Sequence, residues 1–297
     1  MNSRGFYGVK SLNACGVPIP FWSLSKASPS VMAVIQSPRM TKYLLDKGAK
    51  VNAPVTIDAA LTPPGIGDVV STPLMAALRA GSIDSARMLI ERGADAHAQD
   101  SDGRTPMTIA ITYNPHAISL LLASGVDINE QTRFGTPLLT AARYQWLDPE
   151  STVRWVSGVF YTSDHIKEEY NAVRILLEKG ADPNTRDSEG RNALMVMSLE
   201  KRSENAVELI AETLINAGCD INSADNKGRT PLMYAAIFDR PGVVKVLLKR
   251  SPNINAKDHD GLSALDWAIK TGDQEIFKLL SLAELLYQRA LRQISGR

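Results

Sequence analysis

The chain has 297 residues, with 33 Lys and Arg against 32 Asp and Glu, so its formal charge of +1 leaves no basic excess to neutralise phosphate backbones or an anionic membrane surface. A content of 44% hydrophobic and 22% charged residues is that of a folded chain rather than a wholly disordered one, and no apolar run approaches the ~18 residues of a membrane span. Two cysteines, Cys15 and Cys219, provide neither a disulfide scaffold nor a CxxC pair for structural zinc.

In chain order, residues 1–26 form an irregular N-terminal extension with Gly5, Gly8, Pro18 and Pro20 among Phe6, Tyr7, Phe21 and Trp22, expected to cover the first repeat. Leu12-Asn13-Ala14-Cys15 superficially resembles a lipoprotein cleavage box, but the residues before it lack the required apolar stretch. From residue 27 onward internal repeats dominate. TPLMAA at Thr72, TPMTIA at Thr105, TPLLTA at Thr136, NALMVM at Asn192, TPLMYA at Thr230 and SALDWA at Ser263 recur at intervals of 33, 31, 56, 38 and 33. After five of these starts comes a second motif, about twenty residues on except for the third, which is displaced to Leu176: LIERGADAHA, LLASGVDINE, LLEKGADPNT, LINAGCDINS and LLKRSPNINA. A degenerate copy precedes these, running from Ser28-Pro29 to LLDKGAKVNA.

Each unit reads as helix, turn, helix, hairpin. Thr72 is placed to cap a helix with Pro73 at its first position, where a missing N–H costs nothing. Ser82 or Asp84 opens a second helix carrying Ile83, Ala86, Leu89 and Ile90 at helical spacing, which Gly93 ends. A DxxG turn, here Asp100 to Gly103, then sends the chain outward. The repeats lie near 27–53, 71–99, 104–130, 135–185, 191–223, 229–256 and 262–294 of a single solenoid at 27–297. From Asp273 to Ile294 there is neither Gly nor Pro, which predicts one long capping helix.

These motifs resemble those of the ankyrin repeat family, TPLHxA followed by LLxxGADxN and DxxG. The resemblance implies an all-α solenoid of about seven units, stabilised by stacking because no single unit buries its own apolar face. The family's His is replaced by Met75, Thr108, Leu139, Met195, Met233 and Asp266, and an Asn by His97, changes expected to weaken hydrogen bonding between repeats locally.

Three segments break the period. Between Asn52 and Thr72 about twelve extra residues, including Pro63, Pro64, Gly65 and Gly67, read as an elongated hairpin or loop. Gln145 to Glu169 forms a second insertion with Trp146, Trp155, Phe160 and Tyr161; its five carboxylates and two basic residues give 2 − 5, or −3. Such aromatics either pack back on the repeats or meet a partner. A third insertion, around Glu200 to Asn205, enlarges the same corner of the next copy.

No phosphate-cradling glycine loop, HExxH motif or nucleophile with a visible base occurs, so neither catalysis nor a cofactor or metal is expected. The competing reading is an enzyme whose site lies around Asp148, Glu150, Asp164 and His165. The resemblance implies a binding module that uses a concave face of hairpin tips and first helices. Carried over by position, the partner-binding residues are Arg79, Arg104, Tyr113, Arg133, Phe134, Arg143, Tyr144, Arg191, Lys227 and Arg229, joined by Trp146, Trp155, Phe160 and Tyr161 of the insertion. The expected partner is one protein, bound stoichiometrically by an inhibitor or immunity-type regulator that is monomeric when free, with no nucleic acid involved. A general intracellular scaffold and a host-directed bacterial effector are the other occupations the resemblance allows. A soluble cytoplasmic setting is favoured because no signal peptide is visible, with export or lipid anchoring as the alternative if Cys15 is a processing site.

Overall fold

The computed structural model describes residues 37–57, 69–143, 154–156, 159–161, 165–199 and 204–295, with the backbone alone for 57, 154–156, 159–161, 165–171, 294 and 295. The N-terminal extension 1–26, Ser28-Pro29, Tyr144, Trp146, Asp148, Glu150, Asp164 and most of the third insertion lie outside the described residues. The chain divides into two compact units, one within Met1–Val126 and Thr152–His165, the other within Asp127–Ser151 and Ile166–Arg297.

In the first unit α1 (Pro38–Asp46) is followed by β1 (Val55–Ile57), β2 (Val69–Ser71), α2 (Pro73–Arg79), α3 (Ile83–Glu91), α4 (Pro106–Tyr113) and α5 (Ile118–Ala123). The strands pair antiparallel with Val55 opposite Ser71, so the segment expected as a hairpin or loop begins as a ladder. The Thr-Pro starts behave as their chemistry requires. Thr72 accepts the N–H of Met75 and Thr105 that of Thr108, with proline in the first turn of each helix. Ser82 precedes α3 but its side chain makes no capping bond; its hydroxyl donates to Ser85 Oγ at 2.8 Å. Leu74, Met75, Leu78, Leu89, Ile109, Ile118 and Leu121 form the core, all at most 1% exposed.

The second unit holds α6 (Pro137–Arg143), most of α7 (His165–Glu178), α8 (Ala193–Val196) continued by a 3-10 turn, α9 (Glu204–Asn216), α10 (Pro231–Ile237), α11 (Pro241–Leu248), α12 (Ala264–Thr271) and α13 (Gln274–Ser295). First helices pack on first helices (α6 on α8, α10 on α12) and second on second (α9 on α11, α11 on α13), which is the stacking expected of repeats. Small residues such as Ala193, Ala235, Ala236, Ala264 and Ala268 at these contacts are fully or almost fully buried. Asn184 ties consecutive copies by accepting the N–H of Asp220 and donating to the Gly218 carbonyl, and Asn222 accepts from Asn253 N–H.

At two of the places where the family's histidine is missing, the substitute turns back on its own cap. Asp266 accepts both the N–H and the hydroxyl of Ser263, and Met233 Sδ lies 3.5 Å from Thr230 N. Helix ends take a left-handed glycine at Gly180 and Gly218, but Ser251 holds that place after α11 at φ +53. The second insertion yields a short antiparallel hairpin, β3 (Arg154–Val156) and β4 (Val159–Tyr161), with Trp155 opposite Phe160, and its last residues already belong to α7. α13 is the single long helix expected. It rests on α11 and α12 through Ile276 and Leu280, whereas Leu282, Leu285, Leu286, Tyr287 and Leu291 beyond them are exposed, so it covers the last repeat with its first turns only.

Candidate functional site

The hairpins are built on one aspartate apiece. Oδ1 of Asp187 accepts the N–H groups of Glu189 and Arg191, Oδ1 of Asp225 those of Lys227 and Arg229, and Oδ1 of Asp258 those of Asp260 and Leu262, all within 2.8–3.1 Å. This is the turn chemistry that short acidic side chains supply. The tips then join. Asn226 N–H donates to the Glu189 carbonyl and His259 N–H to that of Lys227, both at 2.9 Å, so the last three tips form one hydrogen-bonded row. In the first unit Ser101 N–H makes the matching bond to Val70 O, which carries β2 onto the next tip.

The tip at Thr132 to Gly135 differs. It is one residue shorter between its glycine and the following threonine, closes as an isolated bridge, and no backbone hydrogen bond joins it to the tip at Asp187.

The second carboxylate oxygen, Oδ2, faces the first helices in the three copies of the second unit, and each satisfies it differently, whereas Asp100 Oδ2 in the first unit is buried with no hydrogen-bond partner among the described residues. Asp187 Oδ2 receives Arg143 Nη2 at 2.9 Å and Arg191 Nε at 2.8 Å. Asp225 Oδ2 accepts the Tyr234 hydroxyl at 2.8 Å, and Asp258 Oδ2 accepts Trp267 Nε1 at 2.9 Å. Burial, then the bond to Asp225, pushes the Tyr234 hydroxyl well above the usual phenol range. For Asp258, burial works upward, but the Leu262 N–H, the Trp267 N–H and other donors outweigh it and hold the carboxyl below the usual range. The Trp267 ring has Lys270 Nζ 4.6 Å and Arg229 Cζ 5.3 Å from its centroid.

Residues expected at the binding face therefore separate. Arg133 is exposed, with its guanidinium 4.6 Å from the half-buried Phe134 ring. Arg143 and Arg191 are half-buried and oriented by carboxylates, Arg229 is half-buried with its Nε 4.0 Å from Asp258 Oδ2, and Lys227 is exposed. Arg79 and Arg104 correct the expectation: they are 5% and 7% exposed. Arg79 donates to the Tyr113 hydroxyl at 3.0 Å with its guanidinium over that ring, and Arg104 lies 3.3 Å from Asp102. Both belong to the packing of the first unit. Trp155, Phe160 and Tyr161 sit on β3 and β4, but their side chains, like Tyr144 and Trp146 entirely, are outside the described residues. His165 is the first residue of α7, and its side chain is likewise not described.

Trp267, Tyr234 and Lys270 were not among the residues expected at this face. A signal was present in the spacing, since both aromatics follow the hairpin aspartate by nine residues. Among the described residues no group of three or more His, Cys, Asp or Glu is placed to hold a metal ion, and no helix is long and apolar enough to cross a membrane.

Comparison with known proteins agrees with this architecture. The family model for ankyrin repeats (3 copies) matches residues 31–132, 74–156, 165–258 and 208–287. A stretch of 103 residues, 34% of this chain, is 36% identical to the Neurogenic locus Notch protein of Drosophila melanogaster, of which it spans only 3%. Among solved structures, an ankyrin repeat domain from Acinetobacter baumannii matches with a TM-score of 0.54 and 26% identity, covering 71% of this chain and 97% of that one. The human ASB11 ankyrin repeat domain matches with a TM-score of 0.62, 86% of this chain and 97% of that one, and at 20% identity it supports the fold alone.

Proposed function

Because this chain belongs to the ankyrin repeat family, whose repeats are generally protein–protein interaction modules, we propose that it is a non-catalytic, stoichiometric binder of one protein partner, monomeric when free. The face of hairpin tips and first helices and the 145–169 insertion make the contact. The observation that carries this reading is the preorganisation of the second unit's face. Arg143, Arg191 and Trp267 are held by carboxylates at hydrogen-bond distance while remaining half-buried rather than sealed. Arginine and tryptophan supply most interface hot spots, and side chains already ordered lose little freedom on binding. The partner is inhibited or neutralised by being covered, which needs no chemistry on this chain. The enzyme reading around Asp148, Glu150, Asp164 and His165 has no comparable support, since the matched family is not a catalytic one.

The test is affinity capture from lysate of the source organism with three forms of the protein: intact, with residues 145–169 replaced by a glycine linker, and Arg143→Glu. One partner recovered in stoichiometric amount, bound with nanomolar affinity and lost from either altered form, is the expected result. Many weak partners, or none, would overturn the reading.

A further inference from the structure

The cluster around Trp267 has more cationic capacity than this chain uses. The ring edge is pinned by Nε1 donating to Asp258, which fixes the plane in which the ring stands. Lys270 Nζ lies 4.6 Å and Arg229 Cζ 5.3 Å from the ring centroid. Lys270 has no carboxylate within 4.0 Å among the described residues, nor has the exposed Lys257 on the adjoining hairpin. Arg229 Nε stands 4.0 Å from Asp258 Oδ2, beyond hydrogen-bond reach, and has no acceptor among the described residues although it is shielded from water.

The neighbouring carboxylates are turned to other donors. Asp258 already takes two backbone N–H groups and the indole, and Asp266 Oδ2 takes both donors of Ser263. The inventory is thus one-sided: donors without acceptors, beside an aromatic face that is still half-open.

We propose that Arg229, Trp267 and Lys270 form a clamp for an acidic segment of a protein partner, a glutamate or aspartate bridging the two cations while an adjacent apolar side chain lies against the indole. The inference rests on the protein-binding reading above and narrows it. A guanidinium and an ammonium held beside one ring offer a carboxylate charge-assisted bonds to both. A protein is favoured over nucleic acid because the cations are few and surround a single aromatic. A strand-binding surface needs a basic groove with successive stacking rings, and the chain as a whole carries only +1.

The experiment selects peptides from a random 12-residue phage-displayed library on the intact chain, then measures synthetic versions by fluorescence anisotropy. The expected outcome is enrichment of sequences with Asp or Glu next to a large apolar residue. Replacing that acid by its amide lowers affinity at least tenfold, and Lys270→Glu does the same, as does Trp267→Ala. Lys270 is exposed, so its substitution remains informative if Trp267→Ala folds poorly. Leu285→Ser on the far part of α13 leaves affinity unchanged. The clamp is overturned by an absence of binders, by selected peptides without acidic bias, by peptides indifferent to Lys270→Glu, or by a twelve-residue oligothymidine that displaces them at equal concentration. Peptides that ignore Lys270→Glu but are lost with Arg143→Glu would remove the clamp and leave the protein-binding reading standing.

Discussion

Tyr234→Phe deletes one hydrogen bond from the second unit and almost nothing else. The ring is 3% exposed and stacks on Phe238 with centroids 5.8 Å apart, so removing its oxygen opens no cavity of consequence. What disappears is an O–H donated to Asp225 Oδ2 at 2.8 Å, in a site where Asp225 is itself only 8% exposed. Water does not readily replace the donor there, and a hydrogen bond to a charged group is worth about 1.5–3 kcal/mol. The expected loss is therefore about 2 kcal/mol, read as a drop in the urea midpoint of the far-UV circular dichroism transition with its slope unchanged. Asp225→Asn should cost a similar amount, because the buried hydroxyl then faces an uncharged amide. In the double variant the losses should fail to add, with a coupling of at least about 1 kcal/mol. A loss below about 0.5 kcal/mol for Tyr234→Phe, or strict additivity, would show that the hydroxyl is solvated and that the second carboxylate oxygens do not hold the first helices to the hairpins.

Two further outcomes follow from single positions. Ser251 holds a left-handed φ of +53 at a helix end where Gly180 and Gly218 stand in equivalent copies; Ser251→Gly should stabilise by about 0.5 kcal/mol, the relief of strain being partly offset by a freer unfolded chain, and Ser251→Val should destabilise, both measurable by urea titration. The Ser263 hydroxyl and N–H hold the Asp266 carboxyl below its ordinary value of 3.8, so its contribution is complete above that value and is lost as pH falls through the lowered one; Asp266→Ala should cost about 1 kcal/mol at pH 7, and the gap between the two proteins in thermal midpoint should close toward pH 2.

Much of the architecture was legible because it rests on short-range chemistry. A threonine before a proline can cap a helix whatever surrounds it, and Thr72, Thr105 and Thr230 do so. The long last helix was readable from its lack of Gly and Pro, though not that its apolar residues would outrun their cover after Leu280. The face was less legible. Arg79 and Arg143 stand at the same offset from their caps, yet one is buried against Tyr113 and the other is half-open on Asp187. Position in a motif cannot separate them, because the outcome depends on which side chains a neighbouring repeat contributes. Trp267 was missed for the converse reason: a residue type usual in cores is held partly open here by a hydrogen bond to Asp258.

The hairpin aspartates divide their labour between two atoms. Oδ1 is bound to the turn in the same manner at Asp100, Asp187, Asp225 and Asp258, so the backbone dictates it. Oδ2 meets guanidinium, phenol or indole in the three copies of the second unit and has no hydrogen-bond partner among the described residues at Asp100. A repeat of this kind therefore carries a socket with one standard pin and one configurable pin. What is plugged into the second decides how far an arginine or aromatic leans toward solvent, and a chain can re-tool the face of its hairpin tips and first helices repeat by repeat without disturbing the turn that holds the repeat in shape.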